Sequence, residues 1–160
     1  MQGTTADKIR GFAAAVAWRQ SIAGRVVFTN GVFDLLHVGH VALLEESRRR
    51  GDALIVGVNS DVSVRSLGKG TDRPLVPGTD RARLLAALQC VDAVVLFDEQ
   101  TPLELIMAIR PDLLVKGADY QLDQVVGAAE VRARGGEVAL VPLVPDRSTT
   151  RLLERLRASS

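Results

Sequence analysis

The two histidines of this chain, His37 and His40, stand three residues apart with Gly39 between them, in "FTNGVFDLLHVGH", where a strand pattern gives way to a helix pattern. Residues three apart in a first helical turn point to one side. Both imidazoles would then share a face with the free amides and the positive dipole end of that helix. Gly31 lets the chain turn tightly after the strand, and Gly39 removes a side chain that would hold a ligand off the backbone. Such a cluster suits a polyphosphate, because each hydrogen bond to a charged group contributes roughly 1.5 to 3 kcal/mol.

Other chemistries fit the same residues less well. A zinc centre lacks ligands: there is no third histidine, and the hydrolase pattern of two histidines four apart with a glutamate between is absent. The one cysteine, Cys90, ends an apolar helix pattern and reads as a buried structural thiol. A Gly-Lys-Ser/Thr phosphate loop is missing too, since "LGKGTD" follows no strand and has no hydroxyl next to its lysine.

The elements that must position the histidines can be read from apolar spacing. Short apolar runs without polar alternation at "RVVFTN", "ALIVGVN", "DAVVLF", "DLLVKG" and "EVALVPL" read as five strands buried on both faces of a parallel sheet. Helical spacing predicts helices over Thr5–Gln20, Val38–Arg50, Thr79–Gln89, Thr101–Ile109, Leu122–Arg134 and Ser148–Arg157. In "TPLE", Thr101 is placed as a cap and Pro102 at the first helical position. Strict alternation gives an α/β, Rossmann-like, doubly wound five-stranded parallel sheet. Residues 1–24 form a leading helical segment and 25–160 the domain proper. The stretch "SDVSVRSLGKGTDRPLVPG" is too rich in glycine and proline for a regular element after its first turn and reads as an active-site cover.

In an open sheet of this kind ligands bind at the carboxyl ends of the strands. Thr29, Asn30 and Gly31 end the first strand; Asn59, Ser60 and Asp61 the second; Lys116, Gly117 and Asp119 follow the fourth; the fifth leads to "RSTT". These segments face one pocket if the first and fourth strands flank the switch point. Lys69 on the cover and Lys116 supply point charges, and Arg81 near a helix start could hold a phosphate bidentately. Asp34 is placed to brace the histidine turn. Ser148, Thr149 and Thr150 offer hydroxyls and amides to terminal phosphates. Asn59, Asp61 and Asp119 could meet sugar hydroxyls.

"TNGVFDLLHVGH" resembles the signature of the HxGH nucleotidyltransferases. With "VNSD", "LVKGADY" and "STT" in the same order and spacing, the chain is most similar to the subgroup that adenylylates heptose 1-phosphate. The resemblance spans roughly Arg25 to Leu156. It implies transfer of AMP from ATP to a sugar 1-phosphate, with His37, His40, Lys69 and Lys116 catalytic. It also implies nucleotide contacts at Thr29, Asn30, Gly31, Val32, Phe33, Asp34, Gly39, Arg81, Gly117, Ser148, Thr149 and Thr150, and substrate contacts at Asn59, Asp61 and Asp119. Mg2+ would arrive mainly on the ATP phosphates, with no dedicated protein ligands. Self-association into a homo-oligomer is expected, and no fused sugar kinase, so a stand-alone form. Three departures stand out: Val32 replaces the usual cysteine, Asp146 and Arg147 replace a Gly-led pair before "STT", and Leu143 and Val144 replace the Arg-Thr pair of related cytidylyltransferases. Transfer to another phosphate, such as glycerol 3-phosphate or FMN, and a non-catalytic nucleotide-binding module are the alternatives.

Composition narrows the field. Lys plus Arg number 20 against 19 Asp plus Glu, so a net charge of +1 exerts no global pull toward nucleic acid or an anionic membrane. No apolar run approaches the ~20 residues of a membrane span, and Asp7, Lys8 and Arg10 interrupt what a secretory signal would need. A cytoplasmic location follows as the expectation.

Overall fold

A computed structural model of the chain describes residues 3–160. Five strands, β1 (Val26–Gly31), β2 (Ala53–Asn59), β3 (Ala93–Phe97), β4 (Leu113–Gly117) and β5 (Glu137–Val141), form one parallel sheet in the order β3-β2-β1-β4-β5. The winding reverses between β1 and β4, as the sequence required for a shared pocket.

Period-two alternation sends successive side chains to opposite faces. Val26, Phe28, Ile55, Val95 and Leu114 pack on one side against Ala15 of α2 (Phe12–Gln20), Leu105 and Ile109 of α6 (Leu103–Ile109), and Val131 of α7 (Ala128–Ala133). Val27, Leu54, Val56, Val94 and Val115 pack on the other against Leu44 of α3 (Val38–Arg49) and Leu85 of α5 (Gly78–Ala86). Each fully buried Leu, Ile or Val contributes about 1.5 to 3 kcal/mol, so both faces anchor the sheet. The single helix expected at Thr5–Gln20 is broken: after one turn, α1 (Thr5–Lys8), Ile9 extends and bridges Val94, and the Arg10 amide donates to the Val94 carbonyl at 2.9 Å. Pairing with the sheet edge outweighs continuing the helix across Gly11.

Other boundaries moved for local reasons. Leu122–Arg134 is split into a 3-10 turn (Leu122–Gln124) and α7, because Gly127 takes φ 84 and packs where a Cβ would lie 2.9 Å from Ile106. Pro102, not Thr101, is the N-cap of α6. A short helix, α4 (Asp61–Ser66), opens the long connection, capped by the Ser60 hydroxyl accepting from the Ser63 amide. The last helix, α8 (Thr149–Ala158), starts as expected with Ser148 at its N-cap. Cys90 is half-buried at the end of α5's connection, where burial pushes its thiol pKa up.

Candidate active site

The backbone ladder between β1 and β4 pairs only Val27 with Leu113 and Phe28 with Leu114. Beyond Phe28 side chains take over: the buried Thr29 hydroxyl donates to the Val115 carbonyl at 2.9 Å, and Lys116 Nζ donates to the Asn30 carbonyl at 2.9 Å. The splay opens a crevice at the carboxyl ends. Thr29, expected at the nucleotide, instead pins its floor, since its only hydroxyl is buried in the sheet.

The histidine turn is built by the histidines themselves. Phe33 sits at φ 51, a left-handed conformation that costs a bulky residue roughly 1 to 2 kcal/mol. A Cβ on Gly31 would lie 3.1 Å from its ring. His37 is the N-cap of α3, and its Nδ1 accepts the Gly39 amide at 3.1 Å; His40 Nδ1 accepts the His37 amide at 3.4 Å. Two rings thus replace the usual hydroxyl and carboxylate of a capping box. With Nδ1 accepting, each neutral ring carries its proton on Nε2. The rings stack at 3.8 Å between centroids, 24° apart, and the Phe33 ring meets His40 edge-on at 5.1 Å. Burial, then the neighbouring His37, lowers the His40 pKa to about 4; burial, then Arg147, lowers that of His37. The pair is neutral at pH 7 and presents N–H donors. Gly39 serves the rings and not only a ligand: a Cβ there would lie 2.9 Å from the His37 ring and 3.3 Å from Arg147 Cβ.

Three polar residues expected at ligands, Asp34, Arg81 and Asp61, form a frame beneath the crevice, and a fourth, Asn59, is hydrogen-bonded into that frame but also lines the smaller cavity. Asp34 braces the long connection instead of the histidine turn, because the rings already cap that turn. Its carboxylate accepts the Leu75 and Val76 amides, both at 2.9 Å, and ion-pairs with Arg73 at 2.7 Å. Arg81 is 0% exposed and donates to the carbonyls of Val76, Val32 and Asn59 and to Asp61, all within 2.8 Å. With its fork consumed by the protein, it does not face a ligand. Asp61 also accepts the Gly78 amide at 2.8 Å, and the Asn59 side-chain amide donates to Ser63 at 2.9 Å.

Above the frame lie two cavities. One, of about 240 Å³, is lined by Asn30, Gly31, Val32, Asn59, Lys69, Lys116 and Tyr120, with Gln100 and Thr101 at its side. Asn30 Oδ1 is buried there without a donor. Burial lowers the Lys116 pKa to about 8; Asp119 opposes that shift and Lys69 adds to it. Lys69 rides between Gly68 at φ 66 and Gly70 at φ 112, conformations that favour glycine. Gly117 is buried, with Leu143 and Asp119 crowding the space a Cβ would need. The second cavity, of about 340 Å³, is lined by His37, Asp146, Arg147, Ser148, Arg151, Leu152 and Arg155. The Ser148 hydroxyl accepts the Arg151 amide at 3.1 Å and the Thr149 hydroxyl donates to the Leu35 carbonyl at 3.3 Å, while Thr150 is exposed. A larger cavity of about 530 Å³ lies at the opposite end of the sheet, where Arg19 pairs with Asp112 and Arg25 with Glu137, each at 3.0 Å.

The sequence reading gave no site role to Tyr120, Gln100 or Thr101, although Tyr120 closes the "LVKGADY" motif and Thr101 was placed as a helix cap, or to Arg147, Arg151 and Arg155, whose four-residue spacing was the available signal. Among the described residues no three His, Cys, Asp or Glu side chains gather to hold a metal.

A Rossmann-like sheet with imidazoles at the first strand-to-helix turn defines a nucleotide-handling α/β domain. The cytidylyltransferase-like family model matches residues 28–155, and the chain belongs to that family of transferases. It is 54% identical over 155 residues to the bifunctional protein HldE of Methylobacillus flagellatus, covering 94% of this chain and 31% of that protein. Against the HldE of Koribacter versatilis it is 59% identical over 138 residues, 86% of this chain and 28% of the relative. The chain therefore spans about a third of the length of these curated relatives. Among solved structures, the lipopolysaccharide core biosynthesis protein from Thermoplasma volcanium superposes with a TM-score of 0.63 at 30% identity, covering 76% of this chain and 98% of that one. Pantoate-beta-alanine ligase from Francisella tularensis, at 16% identity and a TM-score of 0.61 over 89% of this chain and 68% of that one, shares the fold. No helix among the described residues is long and apolar enough to cross a membrane.

Proposed function

We propose that the chain transfers AMP from ATP to a sugar 1-phosphate, heptose 1-phosphate, giving ADP-heptose and pyrophosphate. The observation that carries this reading is the ring-capped turn: two neutral imidazoles, held by the backbone through Nδ1, present Nε2–H donors where α3 begins. Family membership, the relation to bifunctional HldE and the likeness to a lipopolysaccharide core biosynthesis protein support it.

An oxygen of the sugar phosphate would attack the α-phosphorus in line, forming one P–O bond as that to the β-phosphate breaks. The attacking oxygen is already ionised, so no protein base is needed; the work lies in positioning and in stabilising charge. Neutral donors suit this, since they strengthen as negative charge builds without holding the product as cations would. Lys116 and Lys69 would carry the charge of the phosphates meeting in the smaller cavity. Asn30 Oδ1, buried without a donor, would accept from a hydroxyl or amino group of a bound substrate. Mg2+ would enter on the triphosphate oxygens, keeping several waters and needing few protein ligands.

A pyrophosphate-release screen of ATP and CTP against heptose 1-phosphate, glycerol 3-phosphate and FMN tests the reading. Release with ATP and heptose 1-phosphate at least tenfold above other pairs is expected. Preference for CTP, for another acceptor, or binding without release would reject it.

A further inference from the structure

Nucleotidyl transfer leaves unused the cavity of about 530 Å³ at the amino ends of β1, β4 and β5. Its volume falls in the range of about 300 to 1,000 Å³ usual for small-molecule sites, but its lining is ionic where such sites are mostly apolar. Arg19, Arg25, Arg110 and Arg134 line it against two carboxylates, Asp112 and Glu137, which leaves two guanidinium charges unmatched. Part of this charge belongs to the fold. Cations complement helix C-termini, and α2, α6 and α7 all end here. Arg19 donates to the Ile22 and Arg110 carbonyls at 3.4 and 3.3 Å and to Asp112 at 3.0 Å, while Arg25 pairs with Glu137 at 3.0 Å. The other two arginines are not accounted for in this way. Arg134 has only neutral partners, the carbonyl and the thioether sulfur of Met107. Among the described residues the Arg110 guanidinium has no hydrogen-bond or ion-pair partner. Arg110 moreover ends α6 at φ 52, a left-handed conformation that glycine or asparagine adopts more readily. The backbone there favours a residue other than arginine, so the fold gives no reason for that side chain.

We propose that this cavity is a second anion site, separate from the nucleotide crevice, which binds a phosphomonoester through Arg110 and Arg134 with Arg19 and Arg25 beside them. It goes beyond the nucleotidyl-transfer reading and does not depend on it. A phosphomonoester carries a charge of about −2 at neutral pH, which answers the two unmatched guanidiniums. Its three oxygens accept guanidinium forks from several directions at once. Asp112 ties the site to the sheet. Its carboxylate accepts the Val26 amide at 2.7 Å and pairs with Arg19, and its own amide donates to the Val26 carbonyl at 2.9 Å, so it joins β1 to β4 where the cavity begins. An anion that gathers the arginines around this joint binds only the folded chain and therefore stabilises it by mass action.

Phosphorus NMR titration of the full chain with inorganic phosphate, together with thermal unfolding over the same concentrations at constant ionic strength, tests this in the wild type, Arg110→Asn, Arg134→Gln and His37→Ala. Arg110→Asn guards against a fold defect: asparagine suits the left-handed position, so without phosphate this variant should unfold at the wild-type temperature or above it. Each arginine variant should weaken phosphate binding at this site about tenfold or more and lose most of the phosphate-dependent rise in Tm. His37→Ala, at the other end of the sheet, should keep that rise. Succinate, a dianion without the tetrahedral oxygens, should bind at least tenfold more weakly than phosphate. Absence of phosphate binding, binding that Arg110→Asn and Arg134→Gln leave unchanged, or binding wholly lost in His37→Ala overturns the proposal. Succinate bound as tightly as phosphate overturns the phosphomonoester as the ligand class.

Discussion

Arg81 and Arg155 are the same side chain in two settings, and the crevice divides along that line. Below it, Arg81, Asp61 and Asp34 spend their polar atoms on the protein's own carbonyls and amides and on one another. Above it, His37, Lys69, Lys116 and the α8 arginines line open cavities. A charge whose partners are backbone atoms shapes the site, whereas a charge with capacity left over is available to a ligand. Residue type and position at a strand end do not separate the two; only the count of satisfied donors does.

Breaking the lower tier should have the largest effect. Arg81→Met removes donors from three carbonyls and leaves Asp61 short of its partner, so urea unfolding should show a loss of about 3 to 5 kcal/mol. Loss of activity at unchanged stability would move Arg81 to the upper tier. His37→Ala should do the reverse, lowering kcat about 100- to 1000-fold, as for removal of a transition-state donor. It should cost only about 1 kcal/mol of stability for the lost cap. Asp34→Asn lies between: it should cost about 1 to 3 kcal/mol and raise KM more than it lowers kcat, because it loosens the connection that carries Lys69.

Lys116 sharpens the division most finely. Its folded pKa of about 8 lies below its ordinary 10.5, so between these values the unfolded chain holds more protons than the folded one, and stability should rise with pH across that window. Transfer should fall over the same window as the ammonium is lost. A kcat/KM profile with a basic limb near pH 8, displaced upward in Lys116→Arg, checks the second half. Lys116→Met should raise stability by up to about 1 kcal/mol at neutral pH while abolishing transfer.

Much of this was legible from the chain alone. The strands, the order of elements and the histidine turn follow from apolar periodicity and from glycines beside imidazoles, which are local signals. The roles of Arg81 and Asp34 were not, because Val76, Val32 and Asn59 approach Arg81 only once β1, β2 and the long connection are folded together. Nor was the break at Ile9, where a good helical pattern yields to an edge bond with Val94. The histidines' mutual capping lay between: their spacing pointed to a shared face, but that both Nδ1 atoms accept backbone amides of the turn is visible only once it is folded.

The small bridge from Ile9 and Arg10 to Val94 also bears on whether one sheet can pair with another. A parallel sheet that ends in an apolar run such as Ala93–Phe97 presents a row of unpaired amides and carbonyls to which a neighbouring chain could add itself. Here the protein's own leader lies along that margin and then folds α2 across the face beneath it. That margin is thus partly covered at Val94, whereas β5, the other edge, has mixed exposure and runs into Pro142 just beyond its last residue.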